Sequence, residues 1–309
     1  MKNKLVVGIV IFKPDKSRLK QALNQVLKQH CPVFLYKNSD DEITEEAITY
    51  VAKNYNVYIF GDGKNRGLAF ALNELMKVAD DKGYDWMLTL DQDSVIPTNM
   101  INSYYQYVDR KDLGIIAPQV IDHRRRYMKI IKTPREEYVS DVITSGSCTN
   151  INAWKRVGKF DSWLFIDLID NEFCKRLRIC GYKILKLNYL VLDQEFGKIK
   201  TKSPKKVAFY LWLAKMLRNQ NWAKFSYKKT VDPMRVFYTS RNIIYVNKKL
   251  KKYGKVAYQN YNCKGYVGFI FSFLLPSFLR ADHKGKVASS IVSGTIEGLK
   301  KEVEVWQPK

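Results

Sequence analysis

The chain has 309 residues and is 46% hydrophobic, with 53 Lys and Arg against 30 Asp and Glu for a formal net charge of +23. Such a length and apolar content suit one large domain, or one domain with an appendage. The five cysteines form no Cys-x-x-Cys pair, which argues against a disulfide framework or a zinc site and for reduced thiols in a cytosol.

Residues 4–12, rich in Val and Ile, read as a buried parallel strand. This run is too short for a signal peptide and lacks a small-residue cleavage site. Pro14-Asp15 opens a helix to about residue 29, with Leu19, Leu23, Val26 and Leu27 on one face. A second strand over 32–36 ends in Lys37-Asn38-Ser39-Asp40. A helix over 42–54, a strand over 57–60 and a turn at Gly61-Asp62-Gly63 follow. Residues 65–82 read as a helix and 86–90 as an apolar strand. This alternation predicts an α/β fold with a doubly wound, mostly parallel sheet flanked by helices. Such sheets bind ligands outside the C-terminal strand ends, the edge where Asn38, Asp62, Asp91 and Asp93 lie.

Residues 99–108 read as a helix, Ile115-Ile116-Ala117 begins another strand, and 139–143 lead into Thr144-Ser145-Gly146-Ser147. A helix runs from about 170 to 179, with Gly181 as its stop, and 182–192 form a closing strand. Gly197 ends this region, so 1–197 is read as the catalytic domain and 198–309 as a basic helical extension. In the extension, 207–217 are dense in aromatic and aliphatic residues. Asp232-Pro233 caps a helix reaching Lys252-Tyr253, 266–280 are apolar, and 287–300 form the last helix. No stretch attains the ~18–20 apolar residues of a membrane span. The longest candidate, 266–279, is broken by Pro276.

The organising stretch is 84–94, Tyr-Asp-Trp-Met-Leu-Thr-Leu-Asp-Gln-Asp-Ser. Its strand delivers Asp91 and Asp93, with Gln92 between them, onto one side, since positions i and i+2 share a face. Two adjacent carboxylates repel unless a proton or a cation intervenes. Mg²⁺ or Mn²⁺ resolves this with oxygen ligands and completes its shell with substrate phosphates. A plain turn cap is the alternative.

The positive charge is concentrated: residues 196–280 hold nineteen Lys or Arg and one acid, Asp232, and so supply +18 of the +23. Such a region seeks a polyanion, either nucleic acid or an anionic membrane surface. A nucleic-acid-binding protein is therefore one reading, but no recognition motif supports it, and the acidic cluster Asp91, Asp93, Asp167, Asp170 and Glu172 would repel phosphate unless a metal were present.

Four motifs carry a resemblance. Asn65, Gly67, Ala69, Ala71 and Asn73 alternate ahead of Leu88-Thr89-Leu90-Asp91-Gln92-Asp93-Ser94. Phe160-Asp161, Phe165-Ile166-Asp167 and Asp170-Asn171-Glu172, with Arg176, form the third, and Tyr238-Thr239-Ser240-Arg241-Asn242 the fourth. In this order they resemble the bacterial family 2 glycosyltransferases of GT-A type (Rossmann-like) fold, most closely the rhamnosyltransferase-like subgroup. The resemblance implies metal-dependent, inverting transfer from a nucleotide-sugar donor to a polyprenyl-diphosphate-linked saccharide. dTDP-L-rhamnose comes first among donors, ahead of UDP-galactose, UDP-galactofuranose and other hexoses. The basic aromatic tail fits a cytoplasmic, peripheral position on the inner face of the plasma membrane, which a lipid-linked acceptor would need, or else an ordinary helical appendage packed on the catalytic domain with its charges solvated.

By resemblance Asp93 is the direct metal ligand, Asp91 reaches the ribose or the metal, and Asp170 is the base, with Asp167 and Glu172 as competitors. Asp170 is expected at a helix N-cap, where the helix would keep it ionised. Asn38, Asp62, Asn65, Gly67 and Gln92 complete the donor side. The N–H groups opening the helix at Asn65–Gly67 are candidates to hold phosphate, unless Gly67 serves close packing. Ser145, Gly146, Trp163, Phe165, Asp167, Glu172 and Arg241 are assigned to the acceptor side. Trp163 and Phe165 would stack on sugar or simply fill the core, and Arg241 would pair with a phosphate of donor or acceptor, or be solvated or internally paired. Two positions depart from the family: Lys37 stands where an Asp often reaches the nucleobase, and Gln194 where a His often ligates the metal, a place Gln194 can fill through its carbonyl oxygen, as could Asp193 or Glu195.

Overall fold

The computed structural model describes residues 4–53, 56–125, 127–197, 199–218, 222–254 and 257–308. The expected helix end at residue 54 and the region boundary at 198 lie outside the described residues.

Eight strands form one sheet: β1 (Leu5–Ile11), β2 (Val33–Lys37), β3 (Val57–Phe60), β4 (Trp86–Asp91), β5 (Leu113–Ile121), β6 (Glu136–Tyr138), β7 (Cys148–Asn150) and β8 (Lys183–Asp193). Their order is β3-β2-β1-β4-β7-β5-β8-β6. The β3-β2-β1-β4 half is parallel. β7 runs antiparallel between β4 and β5, β8 pairs parallel with β5, and β6 closes the edge antiparallel. All strands except β6 and β7 therefore point their C-terminal ends one way, and that shared edge carries the site. The expected α/β sheet is present, with a mixed second half. β6 and β7 escaped the sequence reading because three residues carry no measurable alternation.

Alternation along β1 sorts side chains onto two cores. Val6 joins one with α3 (Leu68–Asp81), α5 (Ile151–Arg156) and α6 (Ile169–Ile179). Leu5, Val7, Ile9 and Ile11 join the other, with α1 (Lys16–Leu27), α2 (Glu42–Val51) and α4 (Met100–Tyr105). Two apolar faces on one parallel strand are what a three-layer fold requires. The helix expected from residue 65 begins at Leu68, because Gly67 is its cap at φ +88°.

Beyond 198 the region is basic and mainly helical: α7 (Pro204–Met216), α8 (Pro233–Lys249), α9 (Tyr266–Phe269), α10 (Leu275–Arg280) and α11 (Lys284–Lys300). A π-helical turn, Ile270–Leu274, joins α9 to α10. The small ladder of β9 (Ile199–Thr201) and β10 (Tyr227–Lys229) interrupts the helices. Their Lys-rich sequences hid them from pattern reading. Asp232 caps α8 with its side chain, as expected of Asp-Pro. α8 packs Ile243 and Val246, and its C-cap Leu250, into the same core as α3 and α6. No helix among the described residues is long and apolar enough to cross a membrane.

Candidate active site

A cavity of about 460 Å³ opens at the C-terminal strand ends. It is lined by Asn38, Asn65, Gly67, Asp91, Gln92, Asp93, Ser145, Phe165, Asp167, Asp170 and Gln194, all singled out from sequence. Strand ends explain the convergence: β1 leads to Phe12, β2 to Asn38, β4 to Asp91 and β8 to Gln194.

The acidic doublet is strained electrostatically. Burial, then the Asp93 charge, pushes the Asp91 carboxyl up to about 6, against the opposing pull of a hydrogen bond from Gln194. Burial also raises Asp93. Gln194 Nε2 donates to Asp91 Oδ2, while its Oε1 is buried with no hydrogen-bond partner. Among the described residues no three His, Cys, Asp or Glu cluster for a metal. The doublet's carboxylates are the oxygen donors that a hard divalent cation takes, and Gln194, whose amide nitrogen faces Asp91, would offer its unpartnered oxygen on turning over. Ser145 Oγ accepts from Asp91 N at 3.1 Å and meets Ser94 Oγ at 2.7 Å, fixing the doublet's backbone. Gln92 is latched on the Phe12 backbone through both amide atoms, at 2.8 and 2.9 Å.

The helix-opening N–H groups are already committed, contrary to expectation. Arg66 N donates to Asn38 Oδ1 at 3.2 Å, Gly67 N to Asn65 Oδ1 at 3.1 Å and Leu68 N to Phe165 O at 2.7 Å. They hold the loop rather than face a phosphate. Gly67 is required for close approach: at φ +88° an added Cβ would lie 2.6 Å from the Phe165 ring.

Asp170 lines the cavity from the second position of α6, not from its cap, which is Leu168 in the left-handed region. Its Oδ1 accepts from Asn171 N at 3.0 Å. Burial outweighs that bond and, with Asp167 and Asp141 nearby, pushes Asp170 up to about 6. The expected ionising influence of the helix end is thus overridden by desolvation. The preceding loop is contorted, with Phe165, Asp167 and Leu168 at φ of 60°, 67° and 63°. Non-glycine residues hold such angles only where their surroundings over-determine them.

The surroundings here are Arg241 and Asn242 of α8. Asn242 Nδ2 reaches the carbonyls of Leu164, Ile166 and Asp167 at 2.8, 2.8 and 2.9 Å. Arg241 donates to Trp163 O at 2.6 Å, pairs with Glu297 at 3.0 Å and lies 3.8 Å from the Trp163 ring centroid. Arg241 therefore serves the loop and an internal acid, and it does not line the cavity. Trp163 also stays out, stacked on Tyr245 at 4.2 Å. Glu172 is fully buried, ion-paired to Arg176 at 2.6 Å and Lys249 at 2.7 Å. Gly146 is buried in its turn, its carbonyl accepting from Tyr104 Oη at 2.7 Å. Asp62 lies outside the lining, bound by Arg66 at 2.6 Å. Lys37 pairs with Glu45.

Sequence reading missed Phe12, Met234, Arg235, Asn260 and Tyr261, which also line the cavity. Arg235 pairs with Asp167 at 2.5 Å. Only tertiary packing brings α8 and the turn Ala257–Tyr261 to this wall, and no local pattern could announce it.

Replacing Asn242 by Ala removes its bonds to the carbonyls of Ile166 and Asp167, whereas Leu164 O keeps donors in Ile166 N and Arg241 Nη2. Each unsatisfied buried group costs about 1–3 kcal/mol. Asn242→Ala is expected to lower the unfolding free energy in urea by about 2 kcal/mol. A loss under about 1 kcal/mol would remove the clamp role.

The chain is similar to dTDP-rhamnosyl transferase RfbF of Shigella flexneri, at 26% identity over 202 residues, 60% of this chain and 66% of that one. The match thus spans just under two thirds of that relative. The fold is shared with the mannosyltransferase PcManGT from Pyrobaculum calidifontis, solved with GDP-Man and Mn²⁺: TM-score 0.55, 11% identity, 96% of this chain and 76% of that one. GalNAc-T7, solved with UDP, GalNAc and Mn²⁺, gives TM-score 0.54 and 15% identity over 87% of this chain and 56% of that one. Residues 7–162, just over half of the chain, match the sequence model of the family described as Glycosyl transferase family 2, and the chain belongs to that family.

Proposed function

We propose that the protein is a metal-dependent, inverting glycosyltransferase of bacterial surface polysaccharide (capsule or O-antigen) synthesis. It transfers a sugar, L-rhamnose from dTDP-rhamnose before UDP-galactose, UDP-galactofuranose or another hexose, onto a lipid-linked glycan. The observation that carries this reading is one cavity holding both an acidic doublet with an unsatisfied amide and a separate carboxylate, Asp170, raised to about 6. The 26% identical relative named a dTDP-rhamnosyl transferase supports the donor, and Mn²⁺ in two fold neighbours supports the cation.

Asp93, Asp91 and Gln194 would hold Mg²⁺ or Mn²⁺, which when bound supplies Lewis-acid neutralisation to the departing diphosphate. The acceptor hydroxyl attacks the anomeric carbon as the bond to the diphosphate breaks, and Asp170 takes the hydroxyl proton. A base is most useful with its pKa near the working pH, the range to which burial moves Asp170. Asn38, Asn65, Gly67 and Gln92 shape the donor side, and Ser145, Phe165 and Asp167 the acceptor side. Met234, Arg235, Asn260 and Tyr261 make the extension part of the site, beside the catalytic region at 1–197. The basic stretch 196–280, at +18, holds the enzyme on the inner face of the plasma membrane, where a polyprenyl-diphosphate acceptor resides.

The test is a panel of nucleotide sugars in thermal-shift and turnover assays, with Mn²⁺ or with EDTA. dTDP-rhamnose is expected to raise the melting temperature in Mn²⁺ and to be turned over, with both effects abolished by EDTA. Stabilisation by no nucleotide sugar, or metal-independent binding of RNA instead, would overturn the reading.

A further inference from the structure

We propose that the hairpin between β9 and β10 docks the protein on anionic lipid through the exposed face of α7. This rests on the membrane reading above and names the surface that serves it. Phe209, Trp212 and Met216 are 53%, 57% and 53% exposed. At spacings of three and four they form one stripe of the helix. Leu217, Trp222 and Phe225 are also exposed. Three large apolar side chains in a row, facing water, mark an interaction surface rather than scattered exposure.

Charge says what covers the stripe. Residues 196–231 contain ten Lys or Arg and no acid. On α7 the exposed Lys206 and Lys215 lie to either side of the apolar stripe, and Lys205 heads it one turn before Phe209. An anionic bilayer meets both demands, with headgroups for the cations and the acyl boundary for the aromatic rings. Met216 and Leu217 have no ring face on which a nucleobase could stack, so lipid fits this face better than nucleic acid. The hairpin also hangs at the right place. Arg125 donates to Phe196 O at 2.6 Å and to Tyr227 Oη at 3.3 Å, tying both legs of the hairpin together, and Phe196 lines the catalytic cavity. A lipid-linked acceptor would keep its hydrocarbon in the bilayer while its saccharide enters the adjoining cavity.

The test is sedimentation of the full chain with phosphatidylcholine vesicles, with and without phosphatidylglycerol. The wild type should bind only the anionic vesicles, and more weakly as salt rises. The variant Phe209→Glu/Trp212→Glu/Met216→Glu should lose binding by more than about tenfold while keeping its melting temperature and nucleotide binding. Phe271→Glu/Leu279→Glu, on another exposed apolar face at 66% and 60%, should bind as wild type does. In wild type, brominated lipid should quench a fluorescence component that Trp212→Phe removes, a readout independent of how the triple variant folds. Undiminished vesicle binding by the α7 variant, or release by the Phe271/Leu279 variant alone, overturns this surface and leaves the membrane reading standing. Wild type that binds neither vesicle overturns both. Loss of RNA binding or of self-association, rather than vesicle binding, in the α7 variant assigns the face to another partner and overturns the proposal.

Discussion

Asp170→Asn is expected to abolish transfer while leaving donor binding intact, and to make the protein more stable. A general base contributes typically 10²–10⁴-fold, so turnover should fall by about 10³-fold. The amide keeps the shape of the cavity wall, so nucleotide affinity should change little. The stability effect follows from the direction of the shift. Burial raises Asp170 from an ordinary 3.8 to about 6, so the folded state holds its proton more tightly than the unfolded chain. Stability is therefore full below about pH 4 and is lost as pH rises through 6. The shift sets an upper bound of about 3 kcal/mol at neutral pH, and partial solvent contact reduces this to about 2 kcal/mol. Asn escapes the penalty. The variant should melt about 4 °C higher at pH 7, and this advantage should vanish near pH 4. In the wild type, turnover should rise with pH through about 6 and then level, as the base loses its proton. Wild-type transfer by Asp170→Asn would end its assignment as base. A gain in stability that persists at acid pH would mean that packing, not charge, was relieved.

Such a residue, costly to the fold and placed in a cavity, was only half legible. The sequence shows a carboxylate at the start of an amphipathic helix, and from that position alone the helix should have favoured its ionised form. Burial by the loop at 160–168 decides otherwise, and burial is a tertiary quantity. The same division runs through the site. Asp91 and Asp93 could be picked out because repulsion between near neighbours is a local fact, although β4 ends at Asp91 and Asp93 sits in the turn beyond it rather than on the expected strand face. Gln194 could be suspected only by resemblance, as the residue standing where the family often has a His, and its orphaned oxygen could not be foreseen. Arg241 looked like a phosphate ligand because an arginine in sequence carries no sign of its partner. Glu297 and the Trp163 carbonyl, 56 and 78 residues away, claim it instead. Arg235, six residues earlier on the same helix, faces the cavity that Arg241 does not. Which cation of a helix turns inward depends on how α8 crosses α6 and the loop, and nothing in the spacing of Tyr-x-x-Arg-Asn sets that crossing. The parallel half of the sheet was legible because long apolar runs announce buried strands. The three-residue β6 and β7 are imposed by their neighbours.

Asp93→Ala should separate the metal-free and metal-bound states by sign. Without metal, Asp93 is a liability: its charge is the second cause, after burial, of the raised Asp91 carboxyl. Removing it should bring Asp91 closer to its ordinary value and leave the protein in EDTA at least as stable as the wild type. With Mn²⁺ and a nucleoside diphosphate the order should reverse. A ligand that binds only the folded state stabilises it by about 2.7 kcal/mol at a hundred times its Kd. The wild type should show this gain, and the variant, short of one of its two carboxylates, should show almost none. Transfer should fall by about 10³-fold, comparable to losing a main electrostatic contributor at a phosphate leaving group. Asp91→Asn offers the contrast: it retains an oxygen toward the cation and removes the repulsion, so part of the Mn²⁺ gain should survive. The measurement is a pair of melting curves for each protein, in EDTA and in Mn²⁺ with nucleotide. An Asp93→Ala protein that gains as much from Mn²⁺ as the wild type would locate the cation away from the strand end, and the leaving-group side of the reaction would then have to be sought elsewhere in the cavity.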